Sequence, residues 1–242
     1  VDGTVHNAQE KTTIVLRQLG IDPATLPAHQ DVVLATSPLF HVSGLLAGVL
    51  MNMANGTKIV FRQGRFDPED VLKLIEKEKV TNWTAIGDMG PRVMSHPDLL
   101  KFDTSSLTRM SSGGAHLSEY MREQIGKYFP QAEASIGQGY GSSESCGVVS
   151  SIGGQEFKEH PSSAGKTCMG FDIEIRDENN NPVQDGNEGE IHVKSPYTML
   201  KYWGNPEATR ETLKSGRWLA MGDIGRIENE LLYINARARD MI

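Results

Sequence analysis

Residues 57–86 read TKIVFRQGRFDPEDVLKLIEKEKVTNWTAI, and this stretch contains the pattern that decides the fold. Short runs of β-branched and aromatic residues at 57–61 and 82–86 predict two strands. Between them, Asp67 and Pro68 mark the start of a helix as its N-cap and its first helical residue. A strand, a helix and a second strand in this order indicate two parallel strands joined by a crossover helix.

The same alternation continues on both sides of this stretch. The further predicted elements are, in chain order, a strand at 31–37, a helix at 42–54, helical sequence toward Leu100, a strand at 109–112 and a helix at 117–129. This repeated alternation predicts an α/β fold, with a parallel sheet and helices on both of its faces.

Beyond residue 160 the pattern changes to strict alternation of apolar and polar residues, which is typical of strands with one solvated face. Such runs occur at 171–175 and 189–193, and a further strand is indicated at 231–234. We therefore expect an α/β part at 1–159 and a small antiparallel, β-barrel-like subdomain at 160–236.

The composition excludes several classes of protein. Lys and Arg total 24 against 31 Asp and Glu, a net charge of −7 without a basic cluster, so neither nucleic acid nor an anionic membrane is an expected partner. The longest apolar stretch, residues 45–51, is far shorter than the roughly 20 residues that cross a bilayer. Cys146 and Cys168 form no C-x-x-C pair, which favours reduced, partly buried thiols in a cytoplasmic protein.

The densest run of unusual residues is Gly137-Gln-Gly-Tyr-Gly-Ser-Ser-Glu144. Its alternating glycines permit positive φ and close backbone approach, which suits the binding of a phosphate. Glu144 offers a hard oxygen ligand for magnesium, and Tyr140 is suited to stacking on a base. An ordinary Gly- and Ser-rich loop explains the same run, and its G-x-G-x-G spacing does not match a dinucleotide-binding fingerprint.

Three other patterns suggest functional motifs and are rejected. Gly165-Lys166-Thr167 resembles the end of a P-loop, but His160 stands where that motif needs a glycine, and strand-like sequence follows. Ser145 replaces the final glycine of a nucleophile elbow around Ser143. The seven histidines lack metal-binding spacing.

Two residues are ambiguous when read alone. His41 follows a predicted strand, where open α/β sheets bind ligands, but a lone histidine more often satisfies a local hydrogen bond. Asp223 ends the segment Trp218-Leu-Ala-Met-Gly-Asp223, which is by itself compatible with an ordinary turn.

In their order and spacing, these segments resemble the motifs of the adenylate-forming superfamily, and within it the acyl-CoA synthetases (fatty-acid–CoA ligases). The matching segments are Pro38-Leu-Phe-His-Val-Ser-Gly44, Ser112-Gly-Gly-Ala-His-Leu117, Gly139-Tyr-Gly-Ser-Ser-Glu144, Ser163-Ala-Gly165-Lys, Gly189-Glu-Ile191, 218–225 and 237–242. Each match alone is weak, and their common register over residues 31–242 makes the resemblance specific.

The resemblance implies an ATP-dependent ligation in two steps, in fatty acid or related acid metabolism. A carboxylic acid substrate attacks the α-phosphorus of ATP and gives an acyl-adenylate and pyrophosphate. The thiol of coenzyme A then takes the acyl group. Because charge develops on phosphate oxygens, Mg²⁺ and fixed hydrogen-bond donors are the useful catalysts.

The family pattern also implies roles for individual residues. Glu144 would hold Mg²⁺, Ser143 would donate to the α-phosphate, and Tyr140 would stack on adenine. Asp223 would accept both ribose hydroxyls, and Arg237 would reach the ribose or a phosphate. The remaining expected site residues are His41 between the acyl and pantetheine channels, Gly113, Gly114, Ala115, Gly139 and Gly141 around the nucleotide, Met89, Gly113 and Val148 at the acyl pocket, and Asp240 at a hinge.

Departures from the pattern limit what the chain is expected to do alone. The family's phosphate loop should precede Val1, and the C-terminal domain with its catalytic lysine should follow the hinge that starts at 237–242. We therefore expect a fragment of a large N-terminal domain that is inactive or weakly active by itself. Ser143 replaces the usual Thr, His116 replaces Pro, and Asp88 stands beside the expected acyl pocket.

Two other functions stay open at this point. One is a non-catalytic nucleotide- or acyl-binding module of the same fold, and the other is a serine hydrolase that uses Ser143. Covalent labelling of Ser143 by a fluorophosphonate would favour the hydrolase. The sequence does not distinguish an aliphatic, an aryl or a steroidal acid, nor a monomer from a homo-oligomer.

Overall fold

The computed structural model describes residues 31–113 and 117–237, with the backbone alone for Arg237. The strands of this part are β1 (Val32–Ala35), β2 (Lys58–Phe61), β3 (Asn82–Ile86), β4 (Arg109–Gly113), β5 (Gly137–Ser142), β6 (Gly147–Gly153), β7 (Ser163–Thr167), β8 (Asp172–Arg176), β9 (Gly189–Lys194), β10 (Leu219–Glu228) and β11 (Leu231–Arg237). They form one sheet in the order β2-β1-β3-β4-β5-β6-β7-β11-β10-β9-β8.

The strands β1 to β5 pair with one another in parallel. Their carboxyl ends therefore lie at one edge, which is where α/β sheets bind ligands. The structure confirms the α/β class predicted from the alternating strand and helix patterns.

Helices connect these strands. They are helix α1, made of a π-helical segment Ser43–Leu50 and an α-helical turn Met51–Ala54, then α2 (Pro68–Glu78), α3 (Met89–Met94), α4 (Glu119–Tyr128), α5 (Gly154–Glu159) and α6 (Pro206–Thr212), with 3-10 turns at Leu99–Lys101, Pro130–Ser135 and Ser215–Arg217. Helix α2 begins as predicted, because Asp67 Oδ1 accepts the N–H of Glu69 at 2.8 Å. It ends at Lys79, whose φ of +52° is left-handed.

Helix α1 occupies the predicted helical stretch but is mostly π-helical. The Asn52 side-chain amide donates to the carbonyl oxygens of Ala47 at 2.8 Å and Gly48 at 3.0 Å, which gives two carbonyls of this wide helix a partner. Among the described residues, no helix has the length and apolar content to cross a membrane.

The second half of the sheet is antiparallel throughout, from β5 to β8. Strand β7 pairs with β6 on one side and with β11 on the other, so the sheet continues through residue 160 without a break. The division into parts at 1–159 and 160–236 stays a prediction. Gly165-Lys166-Thr167 lies within β7, consistent with its rejection as a P-loop.

Two clusters of buried side chains form the core. The larger surrounds Trp83, Phe129 and Phe157, and the smaller includes Val149, Ile191 and Leu232, with Tyr140 packed against it. Leu231 belongs to the larger cluster and its neighbour Leu232 to the smaller, because successive side chains of a strand point to opposite faces. Strand β11 therefore joins the two cores.

The two cysteines are free thiols, as expected. Cys168 is half-buried, in agreement with the sequence-based expectation, whereas Cys146 is exposed. The difference arises because Cys146 lies in the turn after β5, where its φ is +55° and its side chain points away from the core.

Candidate functional site

Strand β5 carries the Gly-rich part of the predicted nucleotide motif as a strand and not as a loop, with a register shift against β6 between Tyr140 and Gly141. Its glycines do not adopt a left-handed φ; they allow strand β6 to lie close. A Cβ atom on Gly137 would lie 2.8 Å from the carbonyl oxygen of Ile152, and one on Gly141 would collide with the carbonyl of Gly147. These glycines were expected to let the backbone approach a phosphate closely. In the structure they let the backbone of β5 approach that of β6.

The turn between β5 and β6 presents Ser143 and Glu144, and Ser145 holds this turn together. The Ser145 side chain is buried. Its hydroxyl oxygen accepts the Ser142 N–H at 2.9 Å and lies 3.0 Å from the carbonyl oxygen of Ser142 and 2.8 Å from that of Gly147. Ser143 is exposed at the tip of the turn, where its hydroxyl can meet a ligand.

Glu144 is half-buried and oriented by a distant loop. Its Oε1 accepts the Tyr202 hydroxyl at 2.8 Å, and its backbone carbonyl accepts the Met199 N–H at 2.8 Å. Neither Tyr202 nor Met199 belongs to a motif that was recognised in the sequence. The contact with Tyr202 spans 58 positions, so no local pattern could have revealed it.

Tyr140 and Asp223 are in direct contact. The Tyr140 hydroxyl donates to Asp223 Oδ2 at 2.7 Å, which joins β5 to β10 across 83 positions of chain. Both side chains are half-buried. In the β10–β11 ladder the backbone of Arg237 lies opposite Asp223. The structure thus brings together three residues that the sequence analysis assigned to the nucleotide.

His41 makes a local contact. It is exposed, and its Nδ1 lies 2.8 Å from the Ser43 hydroxyl and accepts the Ser43 N–H at 3.2 Å. The ring therefore caps the start of helix α1. The neighbouring Phe40 is 94% exposed. A positioning role of His41 toward a substrate stays a prediction.

The residues predicted to line the acyl pocket occupy neighbouring strands and a helix. Gly113 lies opposite Gly139 in the β4–β5 ladder, and a Cβ on Gly139 would lie 3.1 Å from Val148 Cγ1. Val148 is exposed, whereas Met89 packs against the larger core cluster. Gly114, Ala115, His116 and Asp240 lie outside the described residues.

A mostly apolar cavity of about 80 Å³ opens near the carboxyl ends of β3 and β4. Its lining includes Gly87, Gly90, Met110, Ser112, Leu117 and Met121. Ser112, the neighbour of Gly113 on β4, is part of the lining. An apolar lining with a few hydroxyls is the composition of a small-molecule site, but the volume is well below the roughly 300–1,000 Å³ of such sites.

The described residues give little support to a hydrolase or to a metal centre built from protein ligands alone. No described histidine hydrogen-bonds to Ser143, whereas a serine nucleophile needs such a base. Within the same residues, no three His, Cys, Asp or Glu side chains are grouped to hold a metal ion. A single carboxylate such as Glu144 suits Mg²⁺ that is bound mainly through substrate phosphates.

Comparison with known proteins places this geometry in a family. The model of the AMP-binding enzyme family matches residues 3–203. The chain belongs to this family. Its relatives include the 4-coumarate–CoA ligase CCL1 of Humulus lupulus, 32% identical over 236 residues, which cover 95% of this chain and 42% of that protein. The long-chain-fatty-acid–CoA ligase FadD13 of Mycobacterium tuberculosis is 32% identical over 219 residues, 88% of this chain and 41% of that protein.

Solved structures of the same family share the fold. One is the inhibitor-bound N-terminal domain of FACL13 from Mycobacterium tuberculosis, with a TM-score of 0.77 and 28% identity. The match covers 89% of this chain and 52% of the FACL13 chain. Another is O-succinylbenzoate coenzyme A synthetase (MenE) from Bacillus subtilis in complex with ATP and magnesium, with a TM-score of 0.76 and 26% identity. The match covers 99% of this chain and 46% of the MenE chain. The chain spans about two fifths of the length of the curated relatives it matches.

Proposed function

We propose that this chain is the nucleotide-binding part of an ATP-dependent ligase that joins a carboxylic acid to coenzyme A. The observation that carries the proposal is the contact between Tyr140 and Asp223. An aromatic ring held beside a carboxylate can take the base and the ribose of one nucleotide, and a carboxylate can accept both ribose hydroxyls. The names of the relatives, which are CoA ligases for aryl and fatty acids, support the same reaction.

The turn after β5 supplies the groups that the first step needs. In that step the acid carboxylate attacks the α-phosphorus, and pyrophosphate leaves. Ser143 would donate to the α-phosphate from its exposed position, and preformed donors of this kind stabilise developing charge. Because Ser145 and Tyr202 fix the turn and the Glu144 side chain, these groups need little reorganisation during the reaction.

Magnesium fits this site as a partner of ATP. When bound, Mg²⁺ supplies positive charge to the phosphate oxygens. Glu144 would contribute one carboxylate oxygen, which matches the sparse protein ligation that Mg²⁺ shows in phosphoryl-transfer sites. The Tyr202 hydroxyl would orient that carboxylate from Oε1.

The acid would approach from the carboxyl ends of β3 and β4. The apolar cavity there, lined in part by Ser112 next to Gly113, would form part of the acyl site. Gly113, Met89 and Val148 stay the proposed acyl-pocket residues, and His41 a proposed positioning group between the acid and coenzyme A. Aliphatic and aryl acids both occur among the substrates named for the relatives.

Acid-dependent exchange of pyrophosphate into ATP by the intact protein that carries this chain tests the proposal. A panel of aliphatic and aryl acids should give exchange with at least one member. Asp223→Ala should reduce the exchange at least tenfold, whereas Asp185→Ala, which removes an exposed loop carboxylate, should leave it within twofold. Exchange that is equally fast in both variants would overturn the proposal. The same assay on this chain alone tests the expectation that it turns over weakly or not at all.

A further inference from the structure

The buried His192 and the half-buried Glu190 form a hydrogen-bonded pair on β9 that none of the proposed steps uses. His192 is 1% exposed, and its Nε2 lies 3.2 Å from Glu190 Oε2. Its Nδ1 has no hydrogen-bond partner among the described residues. Burying an imidazole with one unpartnered nitrogen disfavours folding unless its other contacts compensate. The pair therefore calls for a specific explanation.

The pair lies where strand β10 departs from regular pairing. In the β9–β10 ladder His192 lies opposite Ala220 and Glu190 lies opposite Ile224. Three residues of β10, Met221 to Asp223, therefore face the single residue Ile191 of β9. The middle residue of this bulge, Gly222, has a left-handed φ of +73°.

The bulge aims Asp223 at Tyr140. Bulges redirect side chains and occur preferentially beside functional sites. Asp223 is the last of the three bulged residues, and its carboxylate accepts the Tyr140 hydroxyl at 2.7 Å. The orientation of Asp223 thus depends on the conformation of its neighbour Gly222.

Glu190 lies opposite Ile224, directly beside the bulge. The hydrogen bond with His192 lowers the pKa of the Glu190 carboxyl most, against burial, which raises it. The Lys214 ammonium lowers this pKa further, and the backbone N–H of Gly222 has the smallest lowering effect. An ionised Glu190, anchored by His192, is therefore an acceptor for the N–H of the residue that precedes Asp223.

We propose that Glu190 and His192 are positioning residues that fix the Met221–Asp223 bulge and thereby place Asp223 against the ribose. This inference rests on the proposed function of Asp223. His192 anchors Glu190, Glu190 holds the Gly222 N–H, and the bulge presents Asp223 to the nucleotide. Neither Glu190 nor His192 needs to touch the nucleotide itself.

Steady-state kinetics of acid-dependent ligation by the intact protein tests whether these contacts position Asp223. Glu190→Ala should raise KM for ATP about tenfold or more, because a misplaced Asp223 would no longer accept both ribose hydroxyls. KM for the acid should stay within twofold. Glu190→Gln, which keeps a neutral acceptor for the Gly222 N–H, should lose less than Glu190→Ala. A structural defect spread over the domain would change both KM values and would not be rescued by Gln.

The control is Glu174→Ala on strand β8. Glu174 and Glu190 have equally exposed side chains, 33% each, and both lie beside His192, but Glu174 pairs with Arg176 and not with β10. Its removal should change KM for ATP less than twofold. Equal effects of Glu190→Ala and Glu174→Ala would overturn the proposal.

A double-mutant cycle separates this proposal from the proposed function. If Glu190 acts through Asp223, Glu190→Ala should add less than twofold to KM for ATP in an Asp223→Ala background. If the effects of the two substitutions on KM for ATP multiply, Glu190 does not act through Asp223 and the proposal is overturned. If Asp223→Ala alone leaves KM for ATP unchanged, the proposed nucleotide site itself is wrong. If Glu190→Ala does not fold, the cycle is run with Glu190→Gln and with His192→Gln, to which the same criteria apply.

Discussion

Ser145 shapes the turn that presents Ser143 and Glu144. Its buried hydroxyl contacts three backbone groups of that turn, so Ser145→Ala leaves buried polar groups without a partner. We expect this change to lower the free energy of unfolding by about 1–3 kcal/mol. Ser143→Ala, the same change at an exposed position, should lower it by no more than about 0.5 kcal/mol. Urea denaturation of the two variants checks this, and equal losses would contradict it.

The sequence predicted some contacts of the candidate site and missed others. The motifs that resemble those of the family led to the expectation that Tyr140 and Asp223 lie together, and the structure shows their contact. The roles of Tyr140, Glu144 and Asp223 toward a nucleotide stay predictions. Two further residues depend on tertiary structure. Tyr202 contacts Glu144 across 58 positions of chain, and Glu190 lies beside the register shift between β9 and β10. A register shift depends on how two strands pair, so the sequence of one strand does not show which residue it brings to its partner.

The segment between α2 and β4 is held by a local ionic contact. The Lys79 ammonium, 2.7 Å away, together with the Ser105 hydroxyl and N–H, holds the pKa of Asp103 well below its usual range. A lowered carboxyl pKa in the folded state stabilises the protein above the unfolded pKa of about 3.9. That contribution is lost as the pH falls through the folded pKa.

Asp103→Asn should therefore destabilise the protein at neutral pH, and its difference from the unmodified chain should shrink as the pH falls below about 4. Urea denaturation over a pH series measures this difference. Asp185→Asn serves as the control in an exposed loop. A difference for Asp103→Asn that is constant or grows toward acid pH would show that the contact with Lys79 is not formed.

Elements with strong local signals matched the predictions, and elements set by their neighbours did not. Helix α2 combines a capping Asp67, Pro68 and an apolar face, all of which are local, and it forms where expected. Strand β5 is rich in glycine, which has low strand propensity, yet it forms because β4 and β6 pair with it on both sides. Strand β10 was not predicted, because its bulge interrupts the alternation of side chains.

At the scale of the whole molecule, the continuous sheet predicts cooperative unfolding. Strand β7 pairs with both halves, and Leu231 and Leu232 of β11 pack into different core clusters. We expect residues 31–237 to unfold in one transition, with equal calorimetric and van't Hoff enthalpies. Scanning calorimetry checks this. Two separate transitions would instead favour independent parts on either side of residue 160.

The proposed function depends most on a nucleotide site formed jointly by β5 and β10. Isothermal titration of this chain with a non-hydrolysable acyl-adenylate analogue tests that site most directly. We predict measurable binding that Asp223→Ala weakens at least tenfold, since a hydrogen bond to a charged group contributes about 1.5–3 kcal/mol. Asp185→Ala should bind like the unmodified chain. Equal affinity of the Asp223→Ala variant and the unmodified chain, or no binding at millimolar protein, would contradict the account.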